Sequence, residues 1–254
     1  MKVERWIILS DLQVPYEDVE SLAAVERYMG AHRWDGYLQI GDFLDFDSIS
    51  SFNMGLPRKT RGKFISNDID RANKILDRHQ KIIRAKNPDA KFVLLEGNHE
   101  NRVERFLDAN PVFEGLLDVP KLLRLHERGF KWVRSWTDGH FYKIGKATFI
   151  HGGSTGKYHA MKMVDDWGTS IFYGHTHDIM AMPKTRKGLD DLIVGQSIGC
   201  LCLEQEYMRG APTRWQQGFM VLYVLPNGNF TYYIPRLFAH KFVGPDGELY
   251  EAAK

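Results

Sequence analysis

Three short apolar runs, at residues 6–9, 37–40 and 92–95, constrain this chain more than any other feature. Each stops abruptly, at Ser10-Asp11, Gly41-Asp42 and Gly97-Asn98. Short continuous apolar runs with such stops fit buried strands. Between the first two, residues 17–33 carry Val19, Leu22, Ala23 and Val25 near helical spacing. Between the second and third, Ile69, Ala72, Ile75, Leu76, Ile82 and Ile83 form one stripe, which predicts a helix over 67–86. Asn67 and Asp70 can cap its start, and Asn87-Pro88 ends it. Strands alternating with helices imply a parallel sheet with right-handed crossovers. After residue 130 the pattern turns strand-rich, with runs at 131–134, 141–144, 147–150, 171–173, 179–183, 192–198, 218–225 and 230–234, and one helix at 158–167. The expected fold class is α/β, with two facing mixed sheets flanked by helices. No repeat, low-complexity segment or linker interrupts the pattern, so residues 1–254 are expected to form a single domain.

Composition narrows the function classes. Lys and Arg number 34 against 32 Asp and Glu, a net charge of +2, which removes the electrostatic case for a dedicated nucleic-acid binder but leaves room for a local basic patch. Apolar residues at 43% and charged residues at 26% exclude a disordered or fibrous chain. No apolar run approaches the ~20 residues of a membrane span, and the run at 7–9 is too short for a signal-peptide core. A reducing, cytoplasmic setting without a membrane partner is expected. Cys200 and Cys202 are spaced to share a face on a strand, and two cysteines exclude a disulfide scaffold.

Five strand-like runs end in residues suited to bind metal. They are Asp11-x-Gln13, Gly41-Asp42, Gly97-Asn98-His99-Glu100, His151-Gly152-Gly153 and Gly174-His175-Thr176-His177. In open α/β sheets, ligands collect outside the carboxyl ends of the strands. Taken singly, each piece reads as a turn or a loop histidine. Together, in this order, they would gather two carboxylates, two side-chain amides and four imidazoles at one place.

This set resembles the calcineurin-like metallophosphoesterase superfamily, and its spacing is similar to bacteriophage-encoded types. The match runs from Asp11 to His177, about two-thirds of the chain. The resemblance implies a four-layer α/β/β/α sandwich and two divalent ions, with hydrolysis of a phosphate-ester substrate by a metal-bound hydroxide. It implies that Asp11, Gln13, Asp42 and His177 hold one ion, that Asp42, Asn98, His151 and His175 hold the other, and that Asp42 bridges them. His99, left out of both sets, would be the catalytic acid or electrostatic stabiliser.

Gln13 departs from the family pattern, which usually carries His there. An amide oxygen can ligate at similar reach, or Gln13 can hydrogen-bond a water on the ion. Oxygen-rich ligation favours Mn²⁺, with Zn²⁺, Fe²⁺, Ni²⁺ and Mg²⁺ as alternatives. Protein Ser/Thr phosphatases of the superfamily usually carry Arg just before the Gly-Asn-His-Glu motif and another after Gly-Asp. Here Glu96 and the run Phe43-Leu44-Asp45-Phe46 stand there, which demotes that reading. Asp45 is expected to steady the loop or orient a ligand.

Outside the motifs, Pro57-Arg58-Lys59-Thr60-Arg61-Gly62-Lys63 reads as a basic loop, solvated or clamping a phosphate backbone. Arg102, Lys157 and Arg214 are candidate substrate-binding residues, with Arg105 one helical turn beyond Arg102. Arg102 could instead pair with Glu104 or Asp108. The run Arg209-Gly210-Ala211-Pro212-Thr213-Arg214-Trp215 could stack a base, although burial of Trp215 against the last strands is the plainer expectation. The sequence therefore reads as a phosphoesterase, with phosphodiesters of a nucleotide or nucleic acid ahead of phosphomonoesters. A non-catalytic binding scaffold would have lost several ligands or His99, and only position 13 deviates.

Overall fold

A computed structural model describes residues 2–53, 55–188, 191–205, 208 and 213–252. The first sheet contains β1 (Glu4–Leu9), β2 (Gly36–Gln39), β3 (Lys91–Leu95) and β4 (Phe130–Val133), all parallel, as the alternating pattern predicts. Helix α1 (Val19–Ala31) connects β1 to β2, and α2 (Pro57–Thr60) and α3 (Ile65–Arg84) lie between β2 and β3. Helices α4 (Arg102–Ala109) and α5 (Val119–Leu122) precede β4. The second sheet holds β5 (Tyr142–Ile144), β6 (Ala147–Phe149), β7 (Ile171–Tyr173), β8 (Ala181–Arg186) and β9 (Asp191–Ser197), in the order β5-β6-β7-β9-β8. Helix α6 (His159–Trp167) joins β6 to β7. The chain then returns to the first sheet. There β10 (Met220–Val224) pairs antiparallel with β1, and β11 (Phe230–Tyr233) forms the edge. A small hairpin, β12 (Phe242–Val243) with β13 (Leu249–Tyr250), follows.

Strand alternation builds the layers. On β1, Ile7 and Leu9 face α1 and α3, packing with Leu22, Val25, Tyr28, Ala72, Ile75 and Leu76. Trp6 and Ile8 face the other way, into a second core with Phe149, Phe172, Val194 and Leu222 between the two sheets. Helix α6 covers the far face of the second sheet with Met163 on Ile171 and Tyr173. Gly195 on β9 makes this possible, because a Cβ there would collide with the carbonyl of Ala160 on α6. The order is thus helix, sheet, sheet, helix, the expected four layers.

Two local expectations are corrected. Asn67 and Asp70 do not cap α3: the helix begins earlier, at Ile65, and its N-cap, Phe64, makes no side-chain cap bond. The apolar stripe reaches back to Ile65, so hydrophobic packing sets the start in place of a cap. Residues 57–60 of the basic segment form the short helix α2 instead of a loop, helped by Pro57 in its first turn. By contrast, Asp18 caps α1, accepting from the backbone N–H of Ser21 at 3.1 Å.

Candidate metal centre

All five predicted strand ends meet at one end of the sandwich. Three come from the first sheet, after β1, β2 and β3, and two from the second, after β6 and β7. Asp11 Oδ1 lies 3.0 Å from His177 Nε2, and Asp42 Oδ2 lies 3.1 Å from His151 Nε2. Asn98 Oδ1 is 3.0 Å from the same His151 nitrogen. The rings of His151 and His175 are 5.2 Å apart, and single donor atoms of Asp42, His151 and His175 fall within 4.8 Å of one another.

The backbone is bent to achieve this. Asp11, Gln13, Asp42, His175 and His177 all sit at positive φ, between 47° and 66°. Non-glycine residues seldom adopt that region, and such strain gathers where function requires it. Gly97 removes a further obstacle, since a Cβ there would run into the Asp42 carboxylate.

A backbone carbonyl fixes which atom of the His151 ring faces inward. His151 Nδ1 is 2.9 Å from the carbonyl of Ile40, which can only accept, so the proton sits on Nδ1 and the Nε2 lone pair faces Asp42 and Asn98. Three acceptor atoms then converge with no donor between them. Asp42 Oδ2 is buried without a hydrogen-bond partner. A divalent cation is the group this arrangement fits, since histidine ligands hold their other N–H on a carbonyl in this way. With no ion bound, a proton on His151 Nε2 competes for the same place. Burial opposes charge on His151, but the Asp42 carboxylate outweighs it and pushes the imidazole up to about 9. Burial likewise raises Asp42 and Asp11, yet their histidine neighbours, His151 and His99 for Asp42 and His177 for Asp11, hold both below the usual carboxylate range. His177 is raised well above its ordinary value, because Asp11 outweighs its burial. His175 is lowered, first by burial and then by His151.

Gln13 lies in the cluster. Its Oε1 accepts from Gln205 Nε2, and its Nε2 is 3.2 Å from His177 Nε2. His99 stands beside the cluster, with Nε2 3.6 Å from Asp42 Oδ2 and Nδ1 3.2 Å from Asp45 Oδ2. Burial opposes its charge, but Asp42 and Asp45 leave its pKa raised. Asp45 also binds Arg102, whose Nη1 is 2.7 Å from the Asp45 carbonyl and 3.0 Å from Oδ1, and Arg102 Nη2 reaches His99 Nε2 at 3.2 Å. Asp45 thus orients two side chains, neither of them in the expected ligand sets. Arg102 pairs with Asp45 in place of Glu104 or Asp108.

The other candidate substrate residues are more remote. Lys157 is exposed over the Tyr158 ring at 5.3 Å, and Arg214 and Arg105 are exposed. Residues 209–212 lie outside the described residues. Trp215 is neither buried against the last strands nor free for stacking: it is half-buried with its ring 4.1 Å from that of His177. In the basic segment, Lys63 reaches Tyr16 Oη at 3.0 Å and also pairs with Asp47, while Arg58, Lys59 and Arg61 are exposed.

Three contributors escape sequence reasoning. Glu100 is buried, and its two oxygens accept from the backbone N–H groups of Asp42 at 2.9 Å, Gly97 at 2.8 Å and Leu44 at 2.9 Å. It clamps two of the strand ends together, and its place in the Gly-Asn-His-Glu run was the available signal. Gln205 bridges Gln13 and Asp45 Oδ2, the latter at 3.1 Å. Cys202 Sγ lies 3.7 Å from His177 Nδ1, across the ring from the nitrogen that meets Asp11. No local pattern ties Gln205 or Cys202 to the cluster.

The four layers and the meeting of the five strand ends are the arrangement that the resemblance to calcineurin-like metallophosphoesterases implies. Over 236 residues, 87% of its length, the chain is similar to the Gene 54 protein of Mycobacterium phage L5 at 25% identity, and to the Gene 54 protein of Mycobacterium phage D29 at 28%. Each alignment covers 89% of the phage protein. Among solved structures, Vacuolar Protein Sorting 29 from Cryptosporidium parvum aligns over 100% of both chains at 13% identity with a TM-score of 0.46. The nuclease MPE of Pseudomonas putida aligns over 91% of this chain and 87% of its own, at 13% identity and a TM-score of 0.42. No protein-family model matches the chain. Among the described residues, no helix is long and apolar enough to cross a membrane.

Proposed function

We propose that this protein is a dinuclear-metal phosphoesterase acting on phosphodiesters of a nucleotide or nucleic acid. The observation that carries the reading is the positive-φ backbone of five residues from three strand ends, which turns their donor atoms toward one another. Asp11, Gln13, Asp42 and His177 would hold one ion, and Asp42, Asn98, His151 and His175 the other. Bound there, paired divalent ions polarise a phosphate and lower the pKa of water enough for attack near neutral pH.

The chain's own residues do the rest. Asp42, with Oδ1 held by the backbone N–H of His99 and Oδ2 unpartnered, can face both sites. His99 carries the proton that a leaving oxygen needs, and Asp45 fixes its ring through Nδ1. A guanidinium only donates, so Arg102 can hydrogen-bond His99 Nε2 only while that nitrogen is unprotonated. Protonation of His99 frees Arg102 Nη2 for a phosphate oxygen. Exposed Arg58, Lys59 and Arg61, none with a described partner, suit a polyanionic substrate over a small one.

The test is hydrolysis of bis-(p-nitrophenyl) phosphate, p-nitrophenyl phosphate and a single-stranded oligonucleotide, with Mn²⁺ supplied and with chelator. Metal-dependent turnover that prefers the diesters is expected. A preference for the monoester overturns the substrate class, and no turnover with Mn²⁺ overturns the enzyme reading.

A further inference from the structure

Two buried thiols lie behind the metal centre, and the proposed chemistry gives them no step. Cys200 and Cys202 follow β9 and are unbridged. Both sulfurs lie close to the ring of His177. Cys202 Sγ is 3.7 Å from His177 Nδ1, and the two sulfurs and a ring nitrogen lie within 4.8 Å of one another. The same cysteines line a surface cavity of ≈ 290 Å³ with Trp215, Glu204 and Asp18.

We propose that Cys200, Cys202 and His177 Nδ1 form a separate, sulfur-rich site for a thiophilic divalent ion such as Zn²⁺ or Cd²⁺. Two thiolates and an imidazole with an open fourth position are a zinc-type donor set. Ligand atoms ~2.0–2.3 Å from a tetrahedral ion stand ~3.3–3.8 Å apart, so the observed cluster needs a contraction of at most about 1 Å. The cavity supplies an entry path and room for water as the fourth ligand. Soft sulfur donors select against Mn²⁺ and Mg²⁺, which oxygen ligands suit.

Binding releases one proton from each thiol. It also displaces the proton from His177 Nδ1; the ring keeps a proton on Nε2, where Asp11 Oδ1 at 3.0 Å accepts it. His177 then no longer offers Nε2 to the Asp11 side of the metal centre, so the two uses of this ring exclude each other. That consequence rests on the proposed function; the sulfur site itself does not.

The experiment is a Cd²⁺ titration of the full chain, read as thiolate-to-metal charge-transfer absorbance, on the parent, Cys200→Ser, Cys202→Ser and Asp42→Asn, each checked for folding by circular dichroism. Parent and Asp42→Asn should both saturate at one thiolate-bound ion per chain. Losing even an outer-shell partner costs ~10–100-fold in metal affinity, and losing a ligand should cost each serine variant at least that. If a serine variant does not fold, protection of the parent's thiols from alkylation by Cd²⁺ replaces it. Absence of the band in folded parent, a full band in either serine variant, or unprotected thiols overturns the site. Loss of the band in folded Asp42→Asn overturns its separateness from the metal centre.

Discussion

Changing Glu100 to Gln alters one atom of the clamp that joins the Gly41-Asp42 turn to the Gly97-Asn98 turn. In the parent, Oε2 accepts from the N–H groups of Asp42 and Gly97, and Oε1 accepts from Leu44. A glutamine has one acceptor oxygen. Its best placement keeps that oxygen on Asp42 and Gly97 and turns its NH₂ toward the Leu44 N–H, donor against donor. Two buried donors are then unpaired, at about 1–3 kcal/mol each, or ~2–6 kcal/mol together. Part of this is returned, because the parent's carboxylate is itself costly: burial, with Asp42 adding to it, pushes Glu100 up to about 7. The expected net loss is about 2 kcal/mol in urea unfolding at neutral pH, with an unchanged m-value. Because the relaxed turn carries Asp42, Mn²⁺ affinity by calorimetry should also fall, by ~10–100-fold. Unchanged stability together with unchanged Mn²⁺ affinity in Glu100→Gln would refute the clamp.

His99→Ala should retain metal content by calorimetry while kcat falls ~10²–10⁴-fold, with a smaller loss for esters whose leaving group needs no proton. Gln13→His should tighten the site shared with Asp11 and His177 and shift metal preference from Mn²⁺ toward Zn²⁺ or Ni²⁺, read by titrating each ion into parent and variant. Asp68 is pushed up to about 6 by burial and by Asp45 and Asp47. Its folded pKa lies above its unfolded value of 3.8, so the folded chain binds this proton more tightly and the group's contribution to stability falls as pH rises from about 4 to 6. Asp68→Asn should flatten that slope and be the more stable protein above pH 6, measured by urea unfolding across the range.

How much of this was legible depends on distance along the chain. The runs at 6–9, 37–40 and 92–95 became β1, β2 and β3 within two residues at each end, because a buried strand writes itself as a local apolar run with a stop. The donors followed from the same stops. The long helix was legible from its stripe, but its start was not: Phe64 and Ile65 gave no polar signal, and Asn67 and Asp70 offered a misleading one. Phe242 in β12 reaches the core beside Tyr28 from a two-residue strand, too short for any periodicity. Gln205 acts on Gln13, 192 positions away, and Trp215 rests on His177, so no spacing rule could find either. The glutamine at position 13 was visible as an oddity, but its bond to Gln205 was not.

The antiparallel seat of β10 beside β1 has a consequence for the making of the protein. Ile8 waits for Met220 as its neighbour. At the ~5–20 residues per second of synthesis, that wait lasts roughly 10–40 s. Through that interval β2 and β3 can already line up on one flank of β1, while its other flank offers bare N–H and C=O groups to any strand nearby. The inter-sheet core, which takes Met220 and Leu222, is also incomplete until then. A nascent chain of this design is therefore most vulnerable to clumping late in translation, and its yield should depend on temperature and on chaperones more than its finished stability would suggest.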